Sequence, residues 1–223
     1  MPDLGPVWLT LALAAVTTMI LLVIGTPLAW WLSVTRGRFK PAVEAITALP
    51  LILPPTVLGF YFLIALGPAS PIGEFWVQIT GDSLTFSFSG LVIASVVYSL
   101  PFMVQPLQSA FEQVGRAPLE AAATLRASPI DAFFTVAAPM AKRGFLTASV
   151  LAFAHTIGEF GVVLMVGGNI PGRTKVISIA IYEHVETLNY AEAHVLSAGL
   201  LVFSFVTLFF VYAVLRRNDA HVG

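Results

Sequence analysis

The 223-residue chain contains no cysteine, which excludes a disulfide framework and any cysteine-ligated metal or cluster. Charge is almost as scarce. Asp, Glu, Lys and Arg make up 10% of the residues, where a soluble domain carries about a quarter, so the chain cannot clothe a water-facing surface in the usual way. The 11 basic and 12 acidic residues nearly cancel, which removes the basic balance of a nucleic-acid binder and any acidic-tail reading. No G-x-x-x-x-G-K-[ST] phosphate loop occurs, so the chain carries no nucleotide-hydrolysing engine of that kind. Low-complexity segments are missing too, since the 15 prolines are scattered through the apolar runs. What remains is apolar: 57% of the residues are hydrophobic and the mean hydropathy is +0.89. Such a chain belongs in a bilayer.

Runs free of Asp, Glu, Lys and Arg cover residues 4–35, 45–73, 83–111 and 193–215, and 144–172 is interrupted only by His155 and Glu159. Each can supply the roughly 20 residues that a helix needs to cross the hydrocarbon core. Helices are expected because lipid offers backbone groups no partner outside their own segment, and the period-two alternation of a barrel strand is missing. The fold class is therefore an all-α integral membrane protein. We expect one domain over 1–223 with about five transmembrane helices, at 7–34, 43–66, 87–108, 144–166 and 194–215. The first run has no basic residue ahead of its apolar part and exceeds a signal-peptide h-region, so it is read as a mature span. Residues 176–192 are too short in apolar stretch to cross and should lie at the interface or dip in partway.

Five crossings place Arg36, Arg38, Lys40, Arg116, Arg126, Lys142, Arg143, Arg216 and Arg217 on one side, nine of the eleven basic residues. Arg173 and Lys175 fall opposite, with Asp3, Glu74, Asp82, Glu183, Glu186 and Glu192. The positive-inside rule then puts the N-terminus outside and the C-terminus in the cytoplasm of a multi-pass cell-membrane protein. Residues 67–86 and 167–193 become outer loops, and 109–143 becomes the long cytoplasmic one.

That cytoplasmic loop reads as two short helices. Pro118 suits a first helical turn, followed by good helix formers with Glu120 near the positive end. Ser128-Pro129-Ile130-Asp131 has an N-cap, a proline at N1 and an acid at N3, opening a second helix that carries Phe133 and Phe134 and ends at Pro139. Composition alone would also allow an amphipathic hairpin lying on the headgroups.

Spacing favours a knob over that hairpin. Glu120-Ala121-Ala122, three residues, Arg126, nine residues, Val136, one residue, Ala138 and Pro139 keep every interval of a known pattern. The stretch resembles the E-A-A-x3-G-x9-I-x-L-P loop of ABC importer permeases, whose coupling helices sit in a cleft of a cytoplasmic ATPase. Arg126 stands where glycine is usual, so the left-handed turn should shift, to Ala127; Ala138 replaces a leucine. Residues 49–60 (LPLILPPTVLGF), 153–161 (FAHTIGEFG) and 169–174 (NIPGRT) are similar to the molybdate branch of the oxyanion importers, and His155 stands where arginine is common. The blocks occur in matching order over most of the chain. The resemblance implies the type I ABC importer permease fold, with two permease copies, a separate ATPase dimer and an extracytoplasmic oxyanion-binding protein. It implies ATPase coupling through Glu120, Ala121, Ala122, Arg126, Ser128, Pro129, Phe133 and Pro139, and import of molybdate by alternating access, with sulfate, thiosulfate or tungstate as alternative cargoes. No cofactor and no metal are assigned, and the chain itself is expected not to be an enzyme.

Inside the membrane, Pro54-Pro55 should break or kink the second span and turn the N-terminus of the half beginning near Thr56 toward the midplane, where an oxyanion could meet its N–H groups. A kink that only shapes helix packing is the alternative. His155 and Glu159 are i,i+4 and can pair, and ionisable groups at this depth are functional candidates. Because a carboxylate repels an anion, Glu159 is expected to hold helices together, with His155 or the backbone of a second copy. Gly158 and Gly161 should permit close helix approach, while Ser95 and Ser99 could line a path or a helix contact. Zinc held by His155, Glu159, His184 and His194 is conceivable, but H-E-x-x-H is missing. A membrane hydrolase using His155 and Glu159 would lack a nucleophile at useful spacing, and a stand-alone channel would have no use for the knob.

Overall fold

A computed structural model describes residues 4–217; Asp3, assigned above to the outer side, lies outside them. The described residues contain helices and no strand. Three long helices, α1 (Gly5–Val34), α5 (Phe88–Val114) and α12 (Tyr190–Arg217), are joined by two broken pairs. In the first pair α2 (Lys40–Ile52) meets α3 (Pro55–Leu66) at 109°, and in the second α9 (Lys142–Gly158) meets α10 (Gly161–Gly167) at 61°. By length and apolarity, three helices can cross a membrane, or five if each bent pair is one span. Shorter helices fill the connections: α4 (Pro71–Thr80), α6 (Ala117–Thr124), α7 (Pro129–Ala132), a π-helical turn (Phe133–Ala137), α8 (Ala138–Met140) and α11 (Ile177–Glu186).

The first break is dictated by sequence. A residue preceding proline is pushed out of the helical region, and Leu53 and Pro54 each precede one. Both adopt ψ of 136°, and two consecutive extended residues swing the chain before Pro55 starts α3 at a position where its missing N–H costs nothing. A lone proline does not suffice: α1 continues through Pro27, and α5 through Pro101 and Pro106. The second break was not foreseen, because 144–166 was read as one span. It occurs at Glu159, extended with ψ of 136°, followed by Phe160 outside the helical region. No proline is involved; the cause is tertiary, and lies in the partners of Glu159 described below.

α5 is the hub, in contact with α1, α2, α3, α9 and α10. Leu21, Ala29 and Leu32 of α1 pack with Met103, Val104, Leu107 and Phe111 of α5 and with Ala148 and Ala152 of α9. Small residues allow that approach. A Cβ on Gly144 of α9 would stand 2.2 Å from the Cβ of Ala110 on α5, a separation no carbon pair tolerates. At the other end, Leu13, Leu91, Val163, Val176 and Ile179 form a second cluster. α11 is docked there and does not lie free along a surface: Ile177 N–H donates to Thr10 Oγ1 of α1 at 2.8 Å, and Ile179 is fully buried. Beside it, Lys175 and Asn169 both reach the Glu183 carboxylate and lower its pKa, Lys175 foremost. α12 packs mainly on α11 and α9 and keeps most of its apolar surface exposed.

Replacing Gly144 by leucine should overpack the α5–α9 contact and cost roughly 1–3 kcal/mol or more, read as a lowered melting temperature in detergent, whereas Gly199→Leu, where an added Cβ meets nothing within 4 Å, should be tolerated.

Candidate functional site

The 109–143 loop folds as a capped knob. α6 ends in a pair of reciprocal bonds, Arg126 N–H to the Ala123 carbonyl at 3.0 Å and Ala127 N–H to the Ala122 carbonyl at 3.1 Å, the Schellman arrangement that needs a left-handed residue at its first position. Arg126 supplies it, with φ of +65°. The expected shift to Ala127 is therefore corrected: the bonds fix which residue must be left-handed, whatever side chain it bears. Ser128 then caps α7, its Oγ accepting from Asp131 N–H at 3.2 Å while the Asp131 carboxylate accepts from Ser128 N–H at 3.3 Å. The second helix does not end at Pro139 but runs on to Met140. The π-helical turn ahead of it, closed by Ala138 N–H on the Phe133 carbonyl, widens the helix where an ordinary turn would set a carbonyl against the proline ring.

Within the knob the side chains divide into two sets. Phe133 points into the bundle, its ring 5.4 Å from Trp30 and 5.8 Å from Phe111, which in turn meets Phe145 at 5.7 Å. This aromatic cluster ties the knob to α1, α5 and α9. Leu125, Ile130 and Phe134 are 84%, 70% and 67% exposed, and Glu120, Ala121, Ser128, Pro129 and Pro139 are exposed with them, while Ala122 is buried. The resemblance placed Phe133 among the coupling residues; its ring contacts are those of an anchor that ties the knob to the bundle. The two outward apolar residues beyond the Phe pair, Leu125 and Ile130, were missed because nothing in a short helical pattern says which face lacks neighbours.

The second group of residues gathers around a cleft of about 540 Å³ where the two broken pairs meet. Pro55, Thr56, His155, Gly158 and Glu159 line it together with Tyr98 and Gly161; Pro54 does not. Val57 and Leu58 N–H groups bond back to the Pro54 carbonyl at 2.9 and 3.4 Å, and Pro55 has no N–H, so Thr56 presents the free amide of the α3 N-terminus. The two glycines differ. A Cβ on Gly161 would come within 2.8 Å of Pro55, but one on Gly158 would meet nothing within 4 Å, so Gly158 keeps the cleft open and only Gly161 serves close approach.

Glu159 is 3% exposed, and its partners are the hydroxyls of α5: Ser95 donates to Oε2 at 2.6 Å and Ser99 to Oε1 at 2.9 Å. Neither hydroxyl was named among the expected partners; His155, which was, stands farther off, at 3.7 Å from Oε1. Ser99 also meets His155 Nδ1 and Thr156 Oγ1, both at 2.9 Å, and Thr156 donates to the Ala152 carbonyl at 2.9 Å. One hydroxyl has one proton to give. With that of Ser99 directed at Glu159, Ser99 Oγ is left to accept from His155 in the tautomer that carries its proton on Nδ1, and Nε2 has no protein partner among the described residues. Phe102 stacks on the His155 ring at 3.8 Å and fixes its plane. The main chain of Glu159 is held as well, its carbonyl accepting from Ser178 Oγ of α11. These contacts pull residue 159 out of the helix. The four residues weighed as zinc ligands are not brought together, since no group of three His, Asp or Glu among the described residues could hold a metal ion.

Apolar helices, two breaks facing one cleft and a capped knob at one end define a membrane permease of the type I ABC importer fold. Solved structures share it. A bacterial ABC transporter that imports alginate matches with a TM-score of 0.75 at 17% identity, over 96% of this chain and 79% of that one, and the MetNI methionine ABC transporter in inward-facing form matches at 0.73 and 20%, over 95% and 94%. The chain belongs to the family described as the binding-protein-dependent transport system inner membrane component, whose pattern matches residues 22–221. It is a transport component and not an enzyme. Among curated relatives, the molybdenum transport system permease protein ModB of Azotobacter vinelandii is 58% identical over 96% of this chain and 95% of its own length. The putative molybdenum transport permease YvgM of Bacillus subtilis is 35% identical over 92% and 91%, and ModB of Escherichia coli K12 is 35% identical over 83% and 81%.

Three sets of substitutions separate these roles. Arg126→Gly removes a left-handed side-chain penalty of about 1–2 kcal/mol, partly offset by added freedom of the unfolded chain, and should raise the melting temperature slightly. Phe133→Ala should lower stability by roughly 3 kcal/mol, whereas Phe134→Ala should leave the melting temperature unchanged. Ser95→Ala with Ser99→Ala strips a buried carboxylate of its donors, at about 1–3 kcal/mol for each bond, and should destabilise the chain more than Glu159→Gln does.

Proposed function

We propose that the chain is the membrane-spanning permease subunit of an ATP-driven importer that carries molybdate across the cytoplasmic membrane by alternating access. The observation that carries this is the likeness to the Azotobacter vinelandii molybdenum permease along nearly the whole of both chains, supported by relatives of the same description in Bacillus subtilis and Escherichia coli. Residues 1–223 form a single transmembrane domain of five spans, each broken pair counting as one, with the N-terminus outside and the C-terminus in the cytoplasm. Two copies assemble about a two-fold axis on a cytoplasmic ATPase dimer, because one knob per chain must meet one of two equivalent clefts. A loaded extracytoplasmic binding protein docks on the outer loops.

Each part of the geometry has a place in that cycle. The exposed apolar residues Leu125, Ile130 and Phe134, with Glu120, Ser128 and Pro129 around them, enter the ATPase cleft. Closure of the ATPase moves the knob, and the Phe133–Trp30–Phe111 cluster passes the displacement to α1 and α5. The dianion crosses beside the cleft at Thr56, where the free amide and partial positive end of α3 offset its charge. His155 Nε2 is the remaining donor site on the wall when it carries a proton, and Glu159, satisfied by Ser95 and Ser99, is withdrawn from the anion and braces α5 against α9.

Reconstitution with the ATPase and binding protein tests the cargo. Molybdate should stimulate ATP hydrolysis and be taken up, and sulfate should do so weakly; stimulation by sulfate alone would move the assignment to another oxyanion. Replacing Pro54 and Pro55 by alanine should restore helical bonding across the break and reduce uptake at least several-fold with assembly intact. Unchanged uptake would remove the α3 N-terminus from the path.

A further inference from the structure

A second cleft, of about 530 Å³, lies at the knob end of the molecule, between the C-terminal ends of α1 and α5, the start of α2 and the inner side of α6. Its wall is apolar where it meets the long helices, at Trp30, Val34, Phe111 and Leu119, and charged toward the knob. Lys40 is neutralised there, 3.6 Å from Glu44 and 3.4 Å from Glu112. Arg36 and Arg116 also line the cleft and have no hydrogen-bond or ion-pair partner among the described residues; the one further acid on the wall is Glu120. The wall thus carries three basic groups, Lys40, Arg36 and Arg116, against two carboxylates, Glu112 and Glu120, and Lys40 takes up Glu112 together with Glu44, which leaves the two guanidinium groups without an ion-pair partner among the described residues.

We infer that this cleft is a binding site for an anionic phospholipid, its phosphate held between Arg36 and Arg116 and its acyl chains running along Trp30 and Val34. Arginine forks match phosphate oxygens in pairs, and basic pockets between helices at the cytoplasmic face are a recurrent form of lipid-headgroup site. Two further observations favour lipid over the ATPase as occupant. The surface next to the cleft has an interfacial character: Trp31, Val34 and Phe39 are 40%, 43% and 65% exposed, and Arg38 lies over the Phe39 ring at 5.1 Å. The exposed apolar residues of the knob, Leu125, Ile130 and Phe134, are not on its wall, which the coupling residues reach only at Glu120, so a partner seated on the apolar residues leaves Arg36 and Arg116 to the membrane. Because α6 contributes Leu119, Glu120 and Ala123 to the wall, an occupied site links the lipid to the position of the knob. The assignment rests on the cytoplasmic placement of the knob proposed above.

The test uses the chain purified with its ATPase. Native mass spectrometry should find phosphatidylglycerol retained through delipidation, R36Q/R116Q should retain roughly tenfold less or lower still, and R36K/R116K should keep a substantial part. In phosphatidylcholine vesicles, adding phosphatidylglycerol should change oxyanion-stimulated ATP hydrolysis several-fold for the native complex and leave R36Q/R116Q flat. Equal retention by the native and glutamine forms would overturn the assignment, as would displacement of the lipid by millimolar inorganic phosphate, or efficient cross-linking of positions 36 and 116 to the ATPase. Failure of the importer reading is distinguishable, because hydrolysis would then ignore oxyanions in every lipid while retention was unaffected.

Discussion

Hydrocarbon gives an unpaired amide nothing to bond with, and the architecture of this protein follows from that constraint. Helices satisfy it over most of the chain. The exceptions at Leu53–Pro54 and at Glu159–Phe160 are tolerated because they are turned toward each other, α3 packing on α10 and Gly161 admitting Pro55. Ser178 supplies a donor for the carbonyl released at the second break, and the Pro54 carbonyl takes the amides of Val57 and Leu58. A cleft thus opens in the interior where irregular backbone can exist, and it is lined by the groups that straight helices would hide.

The rigid path from that interior to the knob is aromatic. Trp30, Phe111, Phe133 and Phe145 come from four different elements and meet edge to face or tilted, an arrangement favoured by ring quadrupoles beyond simple burial. Close packing of this kind transmits displacement because it cannot be compressed. Small residues serve the same end along the α5–α9 contact, where Gly144, Ala148 and Ala152 leave no side chain to yield.

Local chemistry was legible in the sequence, and non-local chemistry was not. The Pro54-Pro55 break and the Ser128–Asp131 capping box are set by residues within three positions of each other, and both occur where they were expected. Arg126 misled because residue type argued against a left-handed backbone that the two closing bonds of α6 nonetheless require. Glu159 was recognised as a buried brace, but its partners are 60 and 64 residues away, beyond the reach of helical periodicity, and with them went the second break. Which of two adjacent phenylalanines faces inward, and which of two nearby glycines touches a neighbour, are likewise decided by elements that a local pattern does not contain.

Glu159 also joins two regions through one residue, its carboxylate fastened to α5 and its carbonyl to α11. Lifting α11 away would orphan that carbonyl in apolar surroundings, at a cost on the order of 1–3 kcal/mol, so α11 has a detent: a seat it leaves only when it is pulled hard enough. Displacing α11 therefore acts on the break between α9 and α10 through Ser178, a residue that does not line the cleft.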